Sequence, residues 1–296
     1  MISIIVSSVN QSQLAAVRAN VAEIIGVPYE LIAIDNSKGE WGICEVYNRG
    51  AAQSKFDILC FMHEDVKINT MNWGGKVADA FVQHPGFGLI GIAGSQYKSL
   101  APSGWHCYDI EAPDIQYYQL VQHFKFSDQE PSLAYANPRE LKLARVGCID
   151  GVWFCCTREA YSAYQFDEQM LKGFHGYDLD FSMGINQTHQ VGVTFEVLIE
   201  HFSEGKFDEK WLREILKVHA KWSRMLPLNI AGLPKEQLLV EEKRAFRNIF
   251  KRMISSGFKP KELFAVLRHS MASPLMTVGL ATKLYFYIVK LVLRKP

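Results

Sequence analysis

The chain predicts an α/β fold, a doubly wound, mostly parallel sheet with a helical appendage at its C-terminal end. Two observations predict it. Short apolar β-like runs alternate with helix-like segments through residues 2–93, joined by links short enough to require strand–helix–strand units. After Pro227 the strand signals stop and basic, helix-like segments take over. Together they divide the 296 residues into a Rossmann-like nucleotide-binding unit over 1–226 and a helical extension over 227–296.

The elements follow in order. Residues 2–7 form an apolar β run, and residues 11–25 carry Leu14, Val17, Val21, Ile24 and Ile25 at a helical period, with Asn10 or Ser12 as cap. A second strand over 30–34 ends in the turn-forming Asp35-Asn36-Ser37-Lys38-Gly39. A helix over 43–54, a strand over 57–62, a helix over 72–83 and a strand over 87–93 complete the alternation. From Gly94 to Gly151 the pattern is irregular, and the polar-aromatic stretch Ser99 to Trp105 has the length of a binding loop or lid. Further strands are expected over 139–146 and 191–200, a short apolar run over 151–157, and helices over 177–188, 208–225, 236–254 and 261–268.

Composition narrows the function. A net charge of +1 offers no global field for nucleic acid, so an anionic ligand must be held locally. The six cysteines include no CxxC and no zinc spacing, and Cys60 and Cys155-Cys156 sit in apolar runs, which reads as reduced core thiols. The first six residues lack the basic region and length of a signal peptide, so a cytoplasmic protein is expected. The first strand runs into Ser7-Ser8-Val9-Asn10 without a glycine fingerprint, and no GxxxxGK[ST] occurs; dinucleotide oxidoreductases and P-loop ATPases are both disfavoured.

Three polar clusters follow strands or open a helix. His63-Glu64-Asp65 ends the third strand, at the carboxyl edge where open α/β sheets bind ligands, and His plus Asp suits a divalent cation facing phosphate. Gly173-Phe174-His175-Gly176-Tyr177-Asp178-Leu179-Asp180 places two acids in a helix's first turn. Being two residues apart, they point in different directions and only one faces a cleft. His201 leaves a later strand towards the same edge. Each has an ordinary structural reading: a polar turn, solvated helix acids, a core histidine.

In order along the chain, these clusters resemble family-2 glycosyltransferases of the GT-A fold. The residues that carry the likeness are Ile4 to Ser7, Asp35-Asn36-Ser37, Tyr47 to Ala52 and Cys60 to Asp65. Gly173 to Asp180, His201 to Gly205 and Lys221-Trp222 bring it closer to the streptomycin-biosynthesis-type glycosyltransferase-like branch. The resemblance implies that Ser7, Val9, Asn10, Asp35, Asn48 and Glu64 serve the nucleotide. It implies that Asp65, His201 and His63 meet a cation, Mn²⁺ in preference to Mg²⁺, and that Asp178, or else Asp180, is the base of an inverting displacement. The family's usual first metal position is Asp; here it is His63, which either ligates or packs structurally. Trp105 and His175 would meet sugar or acceptor.

The implied function is transfer of a sugar from a nucleotide donor, a UDP-sugar expected, to a hydroxyl of a glycan or lipid-linked acceptor in polysaccharide synthesis. The alternative is a catalytically inactive member that binds nucleotide or glycan. The apolar tail over 277–295 carries Lys283, Lys290 and Arg294 on one helical face. It either packs on the catalytic unit or lies peripherally on an anionic membrane.

Overall fold

The structure is a computed structural model that describes residues 1–293 apart from Pro113 and Ser127. The first half alternates as β1 (Ile2–Ser8), α1 (Gln11–Ile24), β2 (Tyr29–Asp35), α2 (Ile43–Gln53), β3 (Ile58–Met62), β4 (Val66–Ile68), α3 (Trp73–Gln83) and β5 (Phe87–Gly91). Short strands then follow: β6 (Ala93–Ser95), β7 (Tyr97–Lys98), β8 (Gln116–Gln122), β9 (Ser132–Ala136), β10 (Leu143–Val146), β11 (Cys148–Ile149) and β12 (Trp153–Thr157). The part of the chain before residue 227 ends with α4 (Arg158–Ala163), α5 (Tyr177–Ile185), β13 (Gln190–Thr194), β14 (Ile199–His201) and α6 (Glu209–Trp222). The extension holds β15 (Leu228–Asn229), α7 (Lys235–Ser255), α8 (Pro260–Ser270) and α9 (Val278–Leu293).

The main sheet runs β10-β13-β5-β12-β3-β1-β2. Both its faces are covered, and β1 shows why its sequence is a continuous apolar run. Ile2, Ile4 and Val6 pack towards the core under α1 and α3, whereas Ile5 faces the core under α2. Burial on both faces needs no polar alternation.

The sheet is mostly parallel, as expected, with β1, β2, β3, β5 and β13 running one way, but it is mixed through the two reversed strands β10 and β12. β12 runs antiparallel to both β3 and β5, and β10 antiparallel to β13. The chain enters β12 directly from β11 of a second sheet, without a helical crossover, so nothing forces it parallel.

That second sheet, β11-β6-β8-β14-β4 with β9 paired to β8, was not foreseen in the irregular stretch. The strand expected over 191–200 is divided: β13 stays in the main sheet and β14 joins the second. The second sheet thereby brings His201 opposite Val66, beside the end of β3.

The extension is helical as expected, except that β15 pairs with β7. Its apolar faces do not form a separate core. Phe246, Phe250 and Leu284 belong to the same buried cluster as Tyr97, Leu100 and Ile215. Glu242 of α7, fully buried, accepts hydrogen bonds from Tyr97 Oη, Ser99 Oγ and the amides of Leu100 and Ala101. Four donors on one carboxylate satisfy its buried lone pairs and tie α7 to the loop that leads to Trp105.

Candidate active site

A cleft of about 1110 Å³ opens across the carboxyl ends of β1 and β3 and is closed on its far side by the β8–β9 hairpin. That is at the upper end of small-molecule sites. Ser7, Val9, His63, Glu64, Asp65, Trp105, His175, Asp178 and His201 all line it.

His63, Asp65 and His201 converge, with their ligand atoms within 4.8 Å of one another. The His63 Nδ1 to Asp65 Oδ1 distance is 3.8 Å and the His201 Nε2 to Asp65 Oδ1 distance is 3.7 Å. The surroundings decide which atom of each side chain is left free. Tyr177 Oη donates its single proton to the Gly151 carbonyl at 2.9 Å, so at 2.8 Å from His63 Nε2 it must accept. His63 therefore carries its proton on Nε2 and turns the Nδ1 lone pair inward. Its pKa is pushed down to about 4 by burial and by the neighbouring His201, so the ring is neutral.

His201 is oriented in the same way. Gln122 Nε2 donates to the carbonyls of His123 and Ser203, which turns Gln122 Oε1 towards His201 Nδ1 at 3.4 Å. An amide oxygen only accepts, so the His201 proton sits on Nδ1. Its Nε2 lone pair is then buried without a partner. Ser203 Oγ donates to Asp65 Oδ2 at 2.6 Å, leaving Oδ1 for the centre.

Three unshared lone pairs thus point at one place, each oriented from behind by a hydrogen bond. A cation with ligand bonds of about 2.1 Å spaces its ligands about 3–4 Å apart, which the two histidine–Asp65 separations match. Two imidazoles and one carboxylate could hold a divalent first-row ion.

Glu64, between two of these residues, has a different task. Its Oε1 accepts from the amides of Val9 and Asn10 at 3.0 and 2.9 Å and fixes the turn between β1 and α1; its Oε2 is buried without a partner. Ser7 and Val9 are thereby held at the same end of the cleft.

Asp178 and Asp180 separate as their spacing requires. Asp178 lies half-buried in the cleft wall, its pKa pushed up to about 7 by burial and by the negative Asp150. Asp180 turns the other way and is 1% exposed. Tyr164 Oη, Lys221 Nζ and Trp222 Nε1 each bond it at 2.8 Å, so as an alternative base it has no access to the cleft. The local backbone depends on glycine: Gly176 takes φ 80° at the start of α5, and a Cβ on Gly151 would lie 2.2 Å from Tyr177 Oη.

The remaining expected nucleotide residues sit off the lining. Asn10 caps α1 through Ser12 and Gln13, and Asp35 is exposed and accepts from the Ser37 amide. Asn48 is engaged by Tyr161, Glu168 and the Phe166 carbonyl. Asn36, one residue on from Asp35, does line the cleft. Trp105 is oriented by its Nε1 bond to Asp150 Oδ2 at 2.6 Å. Asp150 and Gln122 lie outside every sequence motif named above, whereas Tyr177 and Ser203 belong to the Gly173–Asp180 and His201–Gly205 motifs without a role of their own there. Asp150 had a signal: like Asp65, it closes a short apolar run at a strand end.

A mixed sheet flanked by helices, with a polar cleft at the carboxyl ends of its strands, is an α/β architecture of the GT-A type. The chain belongs to the glycosyltransferase-like family, whose sequence profile matches residues 3–214. No curated protein matches it. Among solved structures, S. aureus TarS is similar at a TM-score of 0.53 and 11% identity, covering 98% of this chain and 53% of that one. This chain therefore spans about half the length of TarS. The TarS fragment 1–349 in complex with UDP-GlcNAc is similar at a TM-score of 0.51 and 13% identity, over 98% of this chain and 87% of that one. At such identities the likeness concerns the fold.

Proposed function

We propose that the protein transfers a sugar from a nucleotide-sugar donor to an acceptor hydroxyl, with inversion and with a divalent cation. The observation that carries this reading is the convergence of His63 Nδ1, Asp65 Oδ1 and His201 Nε2 at one end of a cleft whose wall holds Asp178. When bound there, the cation would neutralise charge on the departing diphosphate. Ser7 and Val9, on the turn that Glu64 fixes, would border the nucleoside. Asp178 would accept the proton of the acceptor hydroxyl as that oxygen bonds the anomeric carbon and the carbon–diphosphate bond breaks. A pKa of about 7 leaves a substantial fraction ionised at neutral pH and makes the group an effective general base.

Trp105 and His175, near the same wall, would meet sugar faces. The mixed N/O donor set favours Mn²⁺ over Mg²⁺. A UDP-sugar donor, a glycan or lipid-linked acceptor, a place in polysaccharide synthesis, a cytoplasmic setting and kinship with the streptomycin-type branch belong to the same reading. So does a role for Asn10, Asp35 and Asn48 near the nucleotide, which for these three would act through the loops and helices they hold.

The test is a thermal-shift series with UDP, GDP, CMP and dTDP, each with and without Mn²⁺. At least one nucleotide should raise Tm, more with the metal than without it. If all four leave Tm unchanged, the donor-site assignment fails.

A further inference from the structure

Helix α9 is apolar nearly all round, yet only one side of it is covered. Leu280, Leu284 and Ile288 are buried against α7 and α8. On the opposite arc, Val278, Phe286 and Leu293 are 80%, 64% and 78% exposed, and Tyr285 is half exposed. An apolar helix is ordinarily buried throughout, so this arc has an unmet apolar neighbour.

Charge says what that neighbour is. Lys283 and Lys290, both exposed, are seven residues apart and form one edge of the arc. After Glu262 the sequence contains no acid, whereas Arg268, Lys283, Lys290, Arg294 and Lys295 are basic. A second copy seated on this face through a two-fold axis would offer these lysines no carboxylate from its own α9. An anionic lipid surface instead offers negative headgroups to the lysines and acyl chains to the ring of Phe286. No helix among the described residues is long and apolar enough to cross a membrane. At 16 residues α9 is about 24 Å long, short of a bilayer's apolar core but suited to lying in its surface.

We propose that α9 docks the protein onto anionic membranes, lying flat with Val278, Tyr285, Phe286 and Leu293 in the headgroup–acyl boundary and Lys283 and Lys290 at the phosphates. This goes beyond sugar transfer and does not depend on it.

Full-length protein is sedimented with vesicles of phosphatidylcholine alone and of phosphatidylcholine with phosphatidylglycerol. Binding should require phosphatidylglycerol and weaken with salt. The double variant Lys283→Gln/Lys290→Gln should weaken it roughly tenfold or more, and Phe286→Ser/Leu293→Ser should weaken it at both low and high salt. These side chains are exposed, so unchanged thermal unfolding of each variant shows that the fold is intact. The proposal is overturned if wild type ignores both vesicles, or if neither pair of substitutions changes binding. It is equally overturned if light scattering shows a dimer that Phe286→Ser dissociates while vesicles go unbound. Nucleotide and Mn²⁺ thermal shifts, measured without lipid, report separately on the donor site.

Discussion

Asp178 and Asp180 differ by two positions on one helix and by nearly everything else. Asp180 is enclosed by a phenol, an ammonium and an indole, each donating to it, and its charge is part of the packing of α5 on α6. Asp178 faces a cleft beside another acid and is met by backbone amides, the Leu179 amide at 2.9 Å from its Oδ1 among them, with no side-chain donor. A satisfied carboxylate holds a structure together, whereas an under-satisfied one at a cleft is disposed to take up a proton. In hydrogen bonding alone, Glu242, met by four donors although its burial still raises its pKa, likewise differs from the metal corner, where His201 Nε2 has no partner.

Substitution tests this contrast most sharply at the two aspartates. Asp178→Asn should lower turnover about 10²–10⁴-fold while the protein stays folded. Asp180→Asn should instead cost about 3 kcal/mol of stability by leaving Lys221 short of a partner, with turnover of the folded fraction largely kept. Urea unfolding and transfer assays on both variants decide the matter, and the reverse pattern would exchange their roles.

Asp65→Ala should abolish the Mn²⁺-dependent part of the thermal shift, since it removes the oxygen that both imidazoles face. A retained metal shift in that variant would break the assignment of the corner. Ser203→Ala is the milder version. Oδ2 of Asp65 loses its donor, and Mn²⁺ affinity, read by isothermal titration, should fall about 10–100-fold.

The smallest effect concerns pH. The Asp178 carboxyl binds its proton more tightly in the folded protein than in the unfolded chain, so its contribution to stability falls as pH rises from about 4 to about 7. Wild type should therefore lose Tm relative to Asp178→Asn across that window, and parallel Tm curves for the two proteins would count against a raised pKa.

Much of this site was legible because polar residues directly after apolar runs have few places to go. His63 and Asp65 lie in the link just past β3, and His201 ends β14, so all three fall where strands reach the sheet edge. The choice between Asp178 and Asp180 was not legible. Helical spacing shows that they diverge, but which one turns inward depends on Lys221 and Trp222, more than forty residues away. The β8–β9 hairpin escaped notice for another reason. Its cleft-facing residues, Tyr118, Leu120 and Gln122, do recur with period two, but the residues between them are also only partly buried. Alternation is weak where neither face is fully covered. The mixed sheet was likewise hidden, because a run such as Trp153-Phe154-Cys155-Cys156 reads the same in either direction.

Glu242 bears on how far the protein can be divided. A chain shortened at residue 226 would keep every residue of the metal corner and Asp178. It would also leave the Tyr97 and Ser99 hydroxyls and two amides without the carboxylate they share, and strip the apolar cover from Leu100 and Ile215. The loop carrying Trp105 would keep its bonds to Asp150, Lys98 and His219 but lose its tie to α7. The last seventy residues are therefore not cargo that could be swapped between homologues, and any exchange of the extension must carry an acid at this position or redesign the loop it grips.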